Sequence, residues 1–385
     1  MPIAALALLF ALALGACSAS PRIPYDAAES RRAAVPGFAD VRTWADDPEP
    51  AFVARGAGAR RAATAGGRAA TYLSLSGGGG DGAYGAGILN GWSELGTRPA
   101  FTIVSGVSTG ALMAPFAFLG PAYDPVIRDL YTSGVAETLL ESPDPISAVF
   151  GTSLFSNDRL RDLAARYVTT DVIAAIARER QKGRLLLVVT TNLDAQRPVL
   201  WDLGAIAQEG TPRAEALFRE AIVASASIPA VFPPILVDVE ADGRGFQEMH
   251  VDGTITSGVF TLPRRTLDAR SVRRTLGRLD LYVVLNAKLE PDFNVVSNRT
   301  AEIGSRTFST FVGDKTRADL ARTEAVARQG GIGFHVTAID PSVRLATDAG
   351  FETAYMRRLF DLGFAKAREG RMWSRSVSRS AVAAR

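Results

Sequence analysis

The chain has 385 residues, 47% hydrophobic and 22% charged, which excludes a disordered polymer and leaves ample length for a full core, in two domains or one large α/β domain. Its net charge is only +3, and without a dense Lys/Arg run this argues against nucleic acid as the main partner. The single cysteine excludes an intrachain disulfide and any zinc site built on several thiolates, and the two histidines, His250 and His335, are all that a His-dependent triad could draw on.

Ile3 to Ala16 form an apolar run. It is shorter than the roughly 20 residues a membrane span needs and fits the h-region of a signal peptide. The run ends in Leu14-Gly15-Ala16-Cys17, followed by Ser18, which resembles the bacterial lipobox. That resemblance implies a signal peptide over residues 1–17 and an acylated Cys17 that holds the protein at a membrane surface. It also implies a bacterial cell-envelope location, with Ser18 rather than Asp pointing to the outer membrane. The n-region, Met1-Pro2, lacks the usual Lys or Arg.

Residues 18–68, with scattered prolines, mixed charges and little apolar periodicity, read as a flexible tether. From residue 69 the pattern becomes regular. Thr71–Ser76 reads as a strand running into Gly77–Gly80, and Ala83–Leu95 as a helix. Phe101–Val104 reads as a short strand and Ala111–Phe118 as a buried helix. Leu185–Val189 and Leu281–Leu285 are continuous apolar runs, the mark of strands covered on both faces. Helical stretches are expected over about 157–180, 213–225, 299–328 and 352–369. Between them, Leu139, Leu140, Ile146, Val149, Phe150, Leu154 and Phe155 crowd into a stretch broken by Pro143, Pro145 and Gly151. This stretch is either an acyl-chain contact or core beneath the next helix. Residues 373–385 read as a frayed basic tail. Alternating strands and helices predict a mainly parallel sheet with helices on both faces.

Three constellations carry chemistry. Gly77-Gly78-Gly79-Gly80-Asp81-Gly82 lies between a strand and a helix. Glycines there let backbone N–H groups converge ahead of a helix N-terminus and form a site for a phosphate or an oxyanion. GxGxxG fits in two frames, but no acidic residue lies between Glu94 and Asp124 to take a ribose, and no Gly-Lys-Ser/Thr follows for a P-loop. The second is Gly106-Val107-Ser108-Thr109-Gly110, in the strand-to-helix context of a nucleophile elbow. With the glycine loop it supplies both halves of acyl transfer, a nucleophile and an oxyanion hole. The third is Asp252 in His250-Val251-Asp252-Gly253-Thr254, a candidate base, although Asp-Gly alone is more often an Asx turn. His250 stands two residues away on the same strand face, beside Asp252 rather than between it and Ser108, and both histidines read as structural.

The order SGGGG-DG, GVSTG and VDGT resembles the patatin-like phospholipases, serine acyl hydrolases with a Ser–Asp dyad. Ala224-Ser225-Ala226-Ser227-Ile228-Pro229-Ala230-Val231-Phe232-Pro233-Pro234 is similar to the segment that precedes the Asp in that family. The resemblance covers roughly residues 69–370. It implies a three-layer α/β patatin-like fold, a hydrolase domain over 69–372, Ser108 as nucleophile and Asp252 as its base. The oxyanion hole falls on Gly77, Gly78, Gly79 and Gly80, with Gly82 completing the loop. Gly106 and Gly110 flank the elbow, and Gly253 and Thr254 complete the Asp-Gly motif. The implied substrate is a phospholipid or other lipid ester. No cofactor and no metal are expected, because no His/Cys cluster or carboxylate loop of ligand spacing occurs. Asp81 stands where the family has Arg or Lys, and is expected to face solvent or cap the following helix. Thr254 stands where Gly or Ala is usual. An idle envelope lipoprotein that binds lipid or a protein partner, and a small-ester esterase or peptidase with the same dyad, remain as alternatives.

Overall fold

The computed structural model describes residues 22–47, 69–140, 153–261, 278–345 and 350–377. Cys17, and Ile146, Val149 and Phe150 of the apolar stretch, lie outside the described residues. In chain order the elements are α1 (Ala27–Arg32), β1 (Arg42–Trp44), β2 (Ala70–Leu75), α2 (Gly82–Glu94), β3 (Ile103–Val107), α3 (Thr109–Leu119) and α4 (Asp124–Thr132). Then come α5 (Asp158–Tyr167), α6 (Thr170–Gln181), β4 (Leu185–Asn192), β5 (Arg197–Asp202), α7 (Leu203–Gln208) and α8 (Pro212–Ala226). The chain continues with β6 (Ile235–Ala241), β7 (Arg244–Asp252), β8 (Leu279–Lys288), α9 (Thr300–Gly330), β9 (Gly333–Ile339) and α10 (Thr353–Arg368). Among the described residues no helix is long and apolar enough to cross a membrane.

The strands form one sheet in the order β1-β5-β4-β3-β2-β8-β9, with the β6–β7 hairpin joined through β7 to β4. The central pairs β4–β3, β3–β2, β2–β8 and β8–β9 are parallel, and the pairs made by β1, β5, β6 and β7 are antiparallel. All eight β4 residues are buried. Leu186 and Val188 face a core shared with the helices on one side, while Leu185, Leu187 and Val189 face a second core with Leu320 and Ala327 of α9. A strand covered on both faces needs apolar residues at consecutive positions, which is why its sequence shows no alternation. By contrast, β6 alternates buried and exposed residues along its length, as a strand with one face in water should. The α/β fold with a mostly parallel central sheet between helices is therefore as expected.

Four local expectations change. The helix expected over 157–180 is two helices, because Thr169 leaves the helical conformation and its hydroxyl accepts from Val172 N to cap α6. Residues 22–47, expected as tether, are packed on the sheet instead. Arg42–Trp44 pairs antiparallel with β5, and Val35, Phe38, Val41 and Ala45 are buried. The expected basic tail begins later, since Trp373 packs edge-on to Trp92 at 4.9 Å and Ser374 bridges Val336 of β9. Of the apolar stretch, Leu139 is buried, Phe155 lies 6.3 Å from Phe232 between ring centroids, and Leu154 is exposed.

The segment 22–47 is tied to the β4–β5 turn and to β7 by charge. Arg22 reaches Asp194 at 2.7 Å, and Arg42 forms a two-pronged pair with the fully buried Glu248 of β7. His250 continues this network: its Nε2 lies 3.2 Å from Glu248 and its Nδ1 2.8 Å from the Thr190 hydroxyl, which in turn accepts from Trp201 Nε1 at 2.9 Å. That pattern assigns the proton to Nε2, leaving Nδ1 to accept from Thr190. Burial alone would raise the Glu248 carboxyl, but the bonds from His250 and Arg42 outweigh it and hold the group at about 2. Arg42→Met removes one partner of a buried pair and leaves the other charge inside. Urea denaturation at neutral pH should show a loss of about 3 kcal/mol. The loss should shrink as pH falls from the ordinary Glu value of 4.5 toward 2, the window over which the parent protonates Glu248 and gives up the stabilisation of the pair.

Candidate active site

β3 is buried throughout and delivers the chain to Ser108, which stands at φ 54° and ψ −123° between the strand and α3. A residue with a Cβ at positive φ is strained by roughly 1–3 kcal/mol and persists only where its surroundings leave no alternative. Those surroundings are crowded. A Cβ on Gly106 would lie 2.3 Å from the Gly110 carbonyl, and one on Gly110 would lie 2.4 Å from the Leu75 carbonyl. Both flanking glycines are therefore required by close backbone approach, and the turn lifts the serine side chain off the helix. Its hydroxyl makes no capping bond to α3 and instead donates to Asp252 Oδ2 at 2.6 Å.

Asp252 arrives from the opposite direction, as the last residue of β7. In the sheet Val107 is level with Val189 of β4, and Asp252 with Thr190 of the same strand. The two strands thus meet head to head along one edge of β4, and the meeting point holds Ser108 and Asp252. The carboxylate is almost fully buried, and its second oxygen accepts from Thr254 N at 2.8 Å and Thr254 Oγ1 at 2.9 Å. Burial pushes Asp252 up to about 6, against the bonds from Ser108 and Thr254, which favour the charged form. Thr254 is accommodated by Gly77: a Cβ on Gly77 would lie 2.2 Å from the Thr254 methyl and 3.2 Å from Ser108 Cβ. The additional hydroxyl holds the carboxylate and the methyl occupies the space that Gly77 leaves.

The same contacts bring the glycine loop against Ser108. Gly78 and Gly79 take φ of 155° and 56°, and among the described residues neither N–H has an acceptor. The N–H of Gly77 differs from expectation, since it donates to the Gly258 carbonyl at 3.1 Å; this residue supplies room rather than a donor. Asn286 of β8 shapes the loop from behind. Its side chain donates to the Ser76 carbonyl at 2.9 Å and accepts from Gly85 N at 3.1 Å. Gly80 abuts the Gly350 carbonyl, Gly82 the Thr109 hydroxyl, and Gly253 the Val189 carbonyl.

Asp81 neither faces solvent freely nor caps α2 through its side chain. It accepts a hydrogen bond from Tyr355 of α10 and is pushed up to about 7 by burial, opposed by that bond and by the Lys288 charge, and reinforced by Asp292. Sequence reasoning did not single out Asn286, or give any role to Ser225, which accepts from Ser108 N at 3.0 Å. Neither residue type advertises acid, base or nucleophile, so no local pattern marks it. His335 stacks on Tyr282 at 4.6 Å, and the ring nitrogens of His250 bond Thr190 and Glu248, not Ser108 or Asp252.

Residues 73–263 match the family model of the patatin-like phospholipases, a span that contains the elbow, the glycine loop and Asp252. This supports a lipid acyl hydrolase or phospholipase family for the domain. Among solved structures, VipD from Legionella pneumophila is similar at 14% identity and a TM-score of 0.37, with 78% of this chain and 66% of that chain covered. No curated protein matches.

The raised Asp81 carboxyl gives a stability test. A group near 7 when folded and at its ordinary 3.8 when unfolded binds its proton more tightly in the native state, so ionisation weakens the fold as pH rises through that window. Asp81→Asn cannot ionise, while its side-chain oxygen still accepts from Tyr355. Thermal midpoints at pH 5 and pH 8 should show the variant gaining on the parent at the higher pH; an equal gap at both values would show that Asp81 titrates normally.

Proposed function

We propose that this protein hydrolyses a carboxyl ester of a lipid, as a phospholipase A or lysophospholipase, through a Ser108–Asp252 dyad. The observation that carries the reading is the 2.6 Å bond from the hydroxyl of a serine at a strained elbow to a buried carboxylate. Asp252 accepts the Ser108 proton as Oγ attacks the ester carbonyl. The N–H groups of Gly78 and Gly79 receive the oxyanion. Collapse of the tetrahedral intermediate returns the proton to the departing alcohol, leaving Ser108 acylated. Water, deprotonated by Asp252, then attacks the acyl group, and the fatty acid leaves as Ser108 regains its proton. A base near 6 suits this work, because it is ionised at neutral pH yet still basic enough to accept a proton. Lipidated Cys17 attaches the protein to the bacterial envelope, at the outer membrane, which would set the site beside its substrate.

A fluorophosphonate probe on purified protein, followed by a panel of phospholipids and short esters, tests the reading. Labelling at Ser108 is expected, together with hydrolysis of the phospholipids. Ser108→Ala should lose both, on the order of a millionfold in rate, while remaining folded. Asp252→Asn should be nearly as damaging, since an amide cannot take the proton. Activity of the parent should fall as pH drops through about 6, where Asp252 becomes protonated. Absence of labelling would leave an idle lipid-binding module, and turnover of short esters alone would reassign the protein as an esterase.

A further inference from the structure

Two residues at the C-terminal end of α8, Ser225 in its last turn and Ser227 just past it, hold the two members of the dyad. Ser225 is fully buried; its hydroxyl donates to the Val189 carbonyl at 2.6 Å and accepts from Ser108 N at 3.0 Å. Two residues further on, the Ser227 carbonyl accepts from Asp252 N at 2.9 Å. Val189 is the register partner of Val107, the residue before Ser108, so the Ser225 hydroxyl is anchored to β4 level with the point where β3 ends. A hydroxyl has one proton; with that given to Val189, its lone pairs face the Ser108 N–H.

The need for such an acceptor follows from the elbow. Ser108 is the N-cap of α3, a position whose N–H has no partner inside the helix, and it is buried where water does not replace one. Its positive φ is held by whatever fixes the peptide on either side. The flanking glycines permit the turn, but permission is not selection, and the bond to Ser225 supplies a direction.

We infer that Ser225 is a positioning residue for the nucleophile: by accepting the Ser108 N–H it holds the elbow in its strained conformation and keeps Oγ within reach of Asp252. The inference rests on the dyad reading above. Substitution by Ala removes the acceptor and leaves both Ser108 N–H and the Val189 carbonyl without their partner. The elbow can then relax, and Ser108 Oγ moves off Asp252. Misplacement of this size at a nucleophile costs on the order of 10- to 100-fold in rate. The pH profile should move as well. The bonding neighbours of the Asp252 carboxylate are Ser108 and Thr254, and no charged side chain is among the causes of its shift. Weakening the Ser108 bond removes one of the interactions that favour the ionised form, so the acid limb should shift to higher pH. A residue that merely packed would leave that limb where it is.

The experiment measures fluorophosphonate labelling rates and kcat and KM on a soluble short-chain ester, across pH 5 to 8, for the parent, Ser225→Ala and Ser225→Cys, with thermal midpoints alongside. The expected result for Ser225→Ala is labelling and kcat lower by about 10- to 100-fold, KM within about twofold of the parent, and the acid limb displaced upward. Parent-like labelling and an unmoved limb would overturn the inference while leaving the dyad in place. If Ser225→Ala does not fold, Ser225→Cys carries the comparison, because a thiol is close in size and a poor acceptor: slowed labelling supports the positioning role and a parent-like rate overturns it. A parent that does not label at all sinks the hydrolase reading and this inference together.

Discussion

Strand β4 has two different neighbours along one edge. Its first residues pair in parallel with β3, as far as Val189, and its last residues, from Thr190 to Asn192, pair antiparallel with β7. Because β5 occupies the other edge, β3 and β7 come in from opposite ends and stop where they meet. Whatever residues stand at that junction are forced together, and they are Ser108 and Asp252. The Ser108–Asp252 contact is thus a consequence of backbone register, which hydrogen bonds on both strands fix to a single residue. A slip of β7 by one position would turn Asp252 to the opposite face. The segment 22–47 and the C-terminal end of α8 act against such a slip. Arg42 pins Glu248, Arg22 pins the β4–β5 turn through Asp194, and the Ser227 carbonyl takes the Asp252 N–H.

Two carboxylates on β7 show how neighbours set the chemistry of a group. Glu248 and Asp252 are both buried, and burial raises both. Glu248 faces a guanidinium and an imidazole, which more than offset the loss of water and hold it near 2. Asp252 has only hydroxyl and amide donors, which offset part of the cost and leave it near 6. The first is fixed as an anion over the whole physiological range and serves to bind the strand to its surroundings. The second can change protonation near neutrality, as a general base must. Asp81 carries the same logic into the glycine loop, where a tyrosine hydroxyl is its direct partner and the carboxyl rises further.

The loop itself is held from three sides. Asn286 bonds it from β8, Thr254 fills the space beside Gly77, and Gly350 lies against Gly80. The positions at which this chain departs from the motifs it resembles sit at these contacts. Thr254 in place of a smaller residue fits because Gly77 has no side chain, and the hydroxyl it brings becomes a second tie on the Asp252 carboxylate. Asp81 in place of a cation fits because Tyr355 offers it a donor. Each departure is matched by a partner that lies far along the chain.

Local chemistry was enough for much of the protein. The apolar runs of β4 and β8, the helix over 300–330, the glycine loop and the GxSxG turn each depend on residues within a few positions of one another, and periodicity or backbone sterics express them directly. The sequence by itself therefore determined the fold class, the serine at a strained strand-to-helix turn, and a short list for a partner. It did not determine that 22–47 adds a strand to the sheet, since β1 is only three residues long and its partners on β5 lie far along the chain. Nor could it assign Ser225 and Asn286, whose importance lies in a lone pair aimed at one distant backbone N–H and an amide laid across one turn. That Asp252 closes an Asx turn onto Thr254 with one oxygen while the other takes the Ser108 hydroxyl, that His250 bonds elsewhere and that the Gly77 N–H is occupied were likewise decided only by tertiary structure. Each depends on the meeting of β3 and β7 along β4, and a register between strands separated by much of the chain is a property of their packing, not of either segment alone.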